Sequence, residues 1–112
     1  MTECVFCKVA AKELESDIVY EDPHVIAIRD INPQAPIHIV VIPKRHIVNI
    51  TEVKDFSIFD GIFKAISKIA LQEKIAKNGF RVVINQGEAA GQTVPHLHFH
   101  IIAGRDLSWP PG

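Results

Sequence analysis

The sequence predicts an α+β fold, a five-stranded antiparallel sheet with one long and one short helix. Three observations point there. Residues 55–77 repeat apolar side chains every three and four positions, the period of a helix. Short β-branched runs flank that segment, and the early ones are joined by connections of hairpin length, as antiparallel neighbours are. The last run, His96-Leu97-His98-Phe99-His100-Ile101-Ile102, alternates imidazole and apolar residues with the period of two that belongs to a strand.

In chain order, residues 4–15 hold Val5, Phe6, Val9, Ala10 and Leu14, the pattern of a short amphipathic helix. Ile18-Val19-Tyr20-Glu21 and Val25-Ile26-Ala27-Ile28-Arg29 read as two strands about the turn Asp22-Pro23-His24. Pro33 and Pro36 make residues 30–36 a loop, since proline cannot continue a regular hydrogen-bonded element. His38-Ile39-Val40-Val41-Ile42 is a central strand stopped by Pro43. The long helix carries Phe56, Phe59, Ile62, Phe63, Ile66, Ile69 and Ala70 on its stripe, with Asp55 as N-cap and Asn78-Gly79 as the stop. Gly61 inside it costs ~1 kcal/mol against alanine, which the packing face absorbs. Residues 80–86 form a strand, 87–93 a glycine-bracketed loop, and 96–102 the histidine strand. The tail from Leu107 cannot be regular, and its Trp109 is too apolar to lie without a docking site.

A chain of 112 residues reads as a single domain, 1–112, that buries roughly 60–70% of the surface its unfolded form exposes. Hydrophobic residues make up 47% of it, and the net charge is −1 with no basic block. Binding duplex nucleic acid needs a concentrated Lys/Arg footprint, so that class is set aside. No apolar run approaches ~18 residues and no secretory signal is legible, so no membrane association is expected and the cytoplasm is the expected location. Cys4 and Cys7 form a C-x2-C pair, which in such a chain reads as metal-binding or redox. The redox reading wants a strand before the pair, and none precedes Cys4.

On a strand, His96, His98 and His100 form a row on one face at ~7 Å intervals, while Leu97, Phe99 and Ile101 enter the core on the other. Such a row suits nucleophilic and proton-transfer chemistry near neutral pH, metal ligation, or pH sensing. Nucleophilic catalysis at pH 7 needs a group that is neutral there, and imidazole, with an unperturbed pKa of ~6.5, is one. It also needs a group to protonate whatever leaves and donors for the charge that develops. A catalytic zinc on three histidines is the competing use, opposed by the lack of carboxylates near the triad in sequence.

The segment Pro95-His96-Leu97-His98-Phe99-His100-Ile101-Ile102 resembles the His-φ-His-φ-His-φ-φ signature of the histidine-triad family of nucleotide hydrolases and transferases. The resemblance spans residues 3–112. It includes Tyr20-Glu21-Asp22, Asp30-Ile31-Asn32-Pro33-Gln34-Ala35-Pro36-Ile37-His38, Val41-Ile42-Pro43-Lys44, Gly91-Gln92-Thr93-Val94 and the tail Trp109-Pro110-Pro111-Gly112. It is most similar to the Hint branch, purine nucleoside phosphoramidases. That resemblance implies the histidine-triad fold, a homodimer with a continuous larger sheet, and metal-free catalysis through a covalent nucleotidyl-histidine. It assigns His98 as nucleophile, His100 to phosphate contact and proton transfer, and His38 to orienting His98, with His96 a further catalytic candidate unless a metal takes it. A solvent-capped edge histidine is the competing reading of His38. Asp30 would accept the 2′ and 3′ hydroxyls of a ribose. Ile31, Phe6, Val5, Val9 and Ile28 would form the purine slot, core packing being the alternative for Val5 and Val9. Asn85 and Thr93 would face phosphate or leaving group, Thr93 standing where the family commonly has serine, and Trp109 joins the nucleotide site. Gly91 permits a turn of positive φ that aims the N–H groups of Gln92 and Thr93 at phosphate.

Relatives of bacterial type with a Cys-x2-Cys start carry a structural zinc, and the matching set is Cys4, Cys7, His46 and His96. A zinc ligand at His96 is structural and takes no part in a proton relay. Relatives of animal type lack these cysteines but share the Trp-Pro-Pro-Gly tail, so the chain mixes features; reduced, partly buried thiols are the alternative to zinc. The expected activity is hydrolysis of purine nucleoside 5′-phosphoramidates through His98. The rivals are a dinucleoside polyphosphate hydrolase or nucleotidyl transferase of the same family, which the short tail weighs against, and a nucleotide-binding adaptor.

Overall fold

The central strands carry apolar side chains on both faces, so both faces of the sheet need a cover, and two helices supply it. A computed structural model describes residues 4–112; residue 3, where the family resemblance begins, lies outside them. Strands β1 (Ile18–Glu21), β2 (Val25–Arg29), β3 (Ile37–Pro43), β4 (Phe80–Val83) and β5 (Phe99–Ala103) form one sheet in the order β1-β2-β3-β5-β4. Each pairing is antiparallel. On one face Val25, Ala27, Ile39, Val41, Phe99 and Ile101 pack against Ile62, Ala65, Ile66 and Ile69 of helix α2 (Ile58–Gln72). Each fully buried isoleucine there contributes about 1.5–3 kcal/mol. On the other face Ile26, Ile28, Val40 and Ile42 meet Val9 and Phe6 of helix α1 (Val5–Ala10). Register places His38 and His100 on this second face, beside Val40, in the adjacent interior strands β3 and β5.

The expected α+β architecture and element order are present; β1 and β2 have the expected bounds, β3 is one residue longer at each end, and the other elements are shorter. Helix α1 ends at Ala10 because Lys12 turns left-handed (φ 65°) and Glu13 N–H returns to the Lys8 carbonyl at 2.8 Å. Helix α2 does not run over 55–77. At its start Asp55 Oδ1 accepts both Ser57 N–H (3.0 Å) and Ser57 Oγ–H (2.7 Å), which closes a turn and delays the helix. At its end Lys74 is left-handed (φ 61°) and Ile75 N–H bonds the Ala70 carbonyl at 3.0 Å, a turn before Asn78-Gly79. Gly61 is not buried under a neighbour, since a Cβ there would meet nothing within 4 Å. Strand β4 stops at Val83 and β5 starts only at Phe99, so the histidine row is not one straight strand. His96 and Leu97 leave the ladder: Leu97 N–H bonds the Ile47 carbonyl at 2.6 Å and His96 N–H the Val94 carbonyl at 2.8 Å. Leu97, Phe99 and Ile101 nevertheless enter the α2-side core as expected.

Candidate active site

Three polar side chains are buried among the described residues, and all are imidazoles: His38, His96 and His98, at 6%, 0% and 7% exposure. A buried polar group left without a partner costs about 1–3 kcal/mol. The partners these rings find also decide which nitrogen of each carries the proton. His98 Nδ1 lies 2.7 Å from the His96 carbonyl oxygen. A carbonyl only accepts, so Nδ1–H donates and Nε2 keeps a free lone pair. Gln34 N–H donates to His38 Nδ1 at 3.0 Å, so the neutral His38 ring carries its proton on Nε2. That nitrogen sits 2.9 Å from His100 Nδ1 and 3.4 Å from Asp30 Oδ2. His100 Nδ1 therefore accepts, and its own proton is on Nε2.

The three rings are in contact. Centroids of His98 and His100, and of His38 and His100, are 5.1 Å apart, and the Phe6 ring meets His98 edge-on at 4.9 Å. Burial, with the neighbouring His98 and His38, lowers the His100 pKa to about 4 against the opposing pull of Asp30. His100 is neutral at pH 7. The arrangement offers a nucleophilic nitrogen fixed by a backbone carbonyl, next to a neutral imidazole held by a second imidazole.

His96 is turned elsewhere. Its Nε2–H donates to the Pro43 carbonyl at 2.8 Å, which leaves Nδ1 unprotonated and aimed at a separate cluster. From that Nδ1, Cys4 Sγ is 3.3 Å away, Cys7 Sγ 3.6 Å and His46 Nδ1 3.2 Å; His46 Nδ1 is also 3.2 Å from Cys7 Sγ. Zinc bonds of 2.0–2.3 Å in a tetrahedron set ligand separations of roughly 3.3–3.8 Å, and these lie within a few tenths of that range. Two cysteine sulfurs, two imidazoles and a backbone orienter on His96 form a structural zinc site in which all four ligands would come from the protein. Cys4 is also the N-cap of α1, accepting Cys7 N–H at 3.4 Å. His96 is therefore a zinc ligand, and its contribution to the imidazole site is its carbonyl.

The remaining candidates scatter. Asp30 borders His38, and its Oδ1 accepts Asn32 N–H at 2.8 Å. Val9 and Ile28 are buried in the α1-side core, while Phe6 is half-buried, Val5 exposed and Ile31 100% exposed. Gly91 has the expected positive φ, 85°. Gln92 does not direct its N–H outward, because that group bonds the Gly87 carbonyl at 3.1 Å. Its side chain braces the loop, donating to the Val48 and Val94 carbonyls. Thr93 is exposed and makes no hydrogen bond among the described residues, and Asn85 is half-buried just past β4. Trp109 is 82% exposed, without the docking site its size asks for. A separate cleft of about 580 Å³, lined by His24, Lys44, Arg45, Asp55 and Gly61, holds none of the three imidazoles. Sequence reasoning missed Gln34, Pro43 and the His96 carbonyl, which act through backbone atoms that no side-chain pattern marks.

The HIT domain model matches residues 11–107. The chain belongs to the HIT family. Among HIT relatives, the 14 kDa zinc-binding protein of Zea mays is 40% identical over 111 residues, covering 96% of this chain and 87% of that protein. A HIT family hydrolase from Legionella pneumophila Philadelphia 1 has the same fold, with TM-score 0.94 and 41% identity over 98% of this chain and 100% of that one. A histidine triad nucleotide-binding protein from Candida albicans is more distant, with TM-score 0.88 and 29% identity over 96% and 83% of the two chains. The five-stranded α+β arrangement is thus the HIT fold.

Proposed function

We propose that this HIT protein is a nucleotide hydrolase of the Hint branch that cleaves purine nucleoside 5′-phosphoramidates. The observation that carries the reading is the unprotonated Nε2 of His98, held by the His96 carbonyl beside His100. His98 Nε2 attacks the α-phosphorus, and the P–N bond breaks with its electron pair on nitrogen. His100, neutral with Nδ1 accepting from His38, keeps its Nε2–H on the phosphate and orders a neighbouring water, which gives a proton to the departing amine. The hydroxide so formed then attacks the phosphorus of nucleotidyl-His98. The mononucleotide leaves and the His98 lone pair is restored. Asp30 receives the ribose hydroxyls, and Thr93 offers its hydroxyl to phosphate or leaving group, with Asn85 nearby. Phe6, Val5 and Ile31 form the purine contacts, backed by the buried Val9 and Ile28. The Hydrolase and Nucleotide-binding names of the Legionella and Candida relatives support the substrate class.

A homodimer belongs to the same proposal. Strand β4 is a sheet edge, and Phe80, Phe63, Phe56 and Trp109 are large apolar side chains left exposed near the chain's surface. A second copy joined through β4 extends the sheet and covers part of that area. A panel of AMP- and GMP-linked amines and dinucleoside polyphosphates, with mononucleotide release measured, tests the activity. Faster cleavage of the polyphosphates, or nucleotide affinity without turnover, would replace it with one of the rival readings.

A further inference from the structure

We infer that Arg105, in the turn after β5, is a positioning residue for the imidazole site: it holds the Gln34 backbone, whose N–H decides which nitrogen of His38 carries the proton. Its effect on turnover rests on the nucleotide-hydrolase reading, whereas its effect on the His38 ring does not.

Gln34 is gripped from three directions. Its N–H donates to His38 Nδ1, its carbonyl accepts Arg105 Nε–H, and its side-chain Nε2–H donates to the Asn32 carbonyl, each at 3.0 Å. The first of these bonds sets the chemistry, because it keeps Nδ1 of His38 an acceptor and so puts the ring proton on Nε2, 2.9 Å from His100 Nδ1. The Asp30 carboxylate, 3.4 Å from that Nε2, lies beyond ordinary hydrogen-bond length and does not fix the proton alone. Gln34 itself is exposed, so water competes for both of its backbone groups. The direction of its N–H therefore depends on a hold from outside the loop. Arg105 is the residue that supplies one from another part of the chain.

The turn that carries Arg105 is built to stay within reach. Ala103, the last residue of β5, is paired with Ile37 at the start of β3. Gly104 follows with φ 94° and lies so close to Pro36 that a Cβ there would be 2.9 Å from Pro36 Cβ. Arg105 Nη1–H then donates to the Asp106 carbonyl at 3.1 Å, which folds the guanidinium over its own turn and leaves Nε–H for Gln34. Both hydrogen bonds go to backbone carbonyls, and no carboxylate pairs with the guanidinium among the described residues. The contacts close a ring. Strand β5 carries His100, the turn at its end holds the loop entering β3, and that loop fixes the His38 ring that donates to His100.

The test compares the unaltered protein with Arg105→Gln and Arg105→Met. Glutamine carries Nε2 as many bonds from Cα as arginine carries Nε, so Arg105→Gln keeps the donor and loses the charge. Arg105→Met keeps the length and loses both. Each is a surface substitution, and the melting temperature should move by no more than a few degrees. Imidazole ¹⁵N shifts read the His38 ring without any turnover. The unaltered protein and Arg105→Gln should show Nδ1 unprotonated and Nε2 protonated, and Arg105→Met should show the two nitrogens averaged. On an adenosine phosphoramidate, Arg105→Met should lose about tenfold in kcat with KM unchanged, 1.4 kcal/mol being a tenfold factor, and Arg105→Gln should recover most of that loss. An unchanged ¹⁵N pattern in Arg105→Met, or equal losses in the two variants, overturns the positioning role. So does a kcat loss that only follows a fall in melting temperature. If the unaltered protein releases no mononucleotide while Arg105→Met still averages the His38 nitrogens, the positioning role stands and the hydrolase reading fails.

Discussion

His98 is fixed by a single backbone oxygen, and the chemistry of the site follows from it. Donation from Nδ1 to the His96 carbonyl leaves Nε2 as the only nitrogen of that ring able to attack. His98→Ala should lower kcat by about a thousandfold or more while a nucleoside monophosphate still binds, because Asp30 and Phe6 are untouched. Single-turnover kinetics with a calorimetric titration of AMP check it, and retention of a tenth of the turnover would remove His98 from its role. His100 makes a separate prediction. Its folded pKa of about 4 lies below the unfolded value of ~6.5. Between these values the unfolded chain binds the extra proton, so stability falls as pH drops from ~6.5 to ~4 and levels off below. The melting temperature of the unaltered protein, taken relative to His100→Asn, should decline over that window. The zinc ligands titrate alike in both proteins, so they cancel in the difference, and a difference independent of pH would contradict the assignment.

At the scale of elements, periodicity located the five strands and both α-helices but misplaced the ends of all except β1 and β2. Apolar spacing reports which face is buried; it does not report where a terminal turn closes. Both helices end on a lysine in the left-handed region, Lys12 and Lys74, where glycine is the usual signal, so the stop was invisible in the sequence. The histidine strand was misread for another reason. Strict alternation marks a strand, but Pro95 has no N–H to give a ladder, and the N–H groups of His96 and Leu97 bond the Val94 and Ile47 carbonyls, which keeps residues 96–98 off it. The four zinc ligands were legible through the family resemblance, whereas the tautomers were not, because they depend on carbonyls and N–H groups. Left-handed lysine costs about 1–2 kcal/mol, while glycine loses ~0.5–1 kcal/mol in chain entropy. Lys74→Gly should therefore stabilise the protein by about 0.5–1 kcal/mol, a melting rise of a few degrees in thermal denaturation. Gly104→Ala should act in the opposite direction, since φ is 94° and the new Cβ would lie 2.9 Å from Pro36 Cβ, next to the loop that delivers His38. An unchanged melting temperature in either variant would show that the backbone relaxes at that site.

Over the whole molecule, the zinc cluster ties together segments that the sheet leaves unjoined: the start of α1, the loop after β3 and the approach to β5. Helix α1 has only six residues and buries Val9 alone, so it lacks the length and apolar area to hold its place unaided. The metal is bound by the folded arrangement of these segments, and its binding free energy is therefore folding free energy. Purified protein should contain close to one zinc per chain. Cys4→Ser with Cys7→Ser should abolish binding and lower the melting temperature by about 10 °C or more, each kcal/mol lost being worth ~4–8 °C in a domain of about this size. The catalytic geometry does not run through the metal. His96 remains tied by Nε2–H to the Pro43 carbonyl, and Leu97 N–H to the Ile47 carbonyl at 2.6 Å, so the carbonyl that orients His98 stays where it is. Turnover per folded molecule should therefore survive loss of the metal, while total activity follows the folded fraction as temperature rises. Measuring activity and circular dichroism together across the melting curve separates the two. A double variant that is fully folded at low temperature yet inactive would mean that zinc itself, through His96, holds the nucleophile in register.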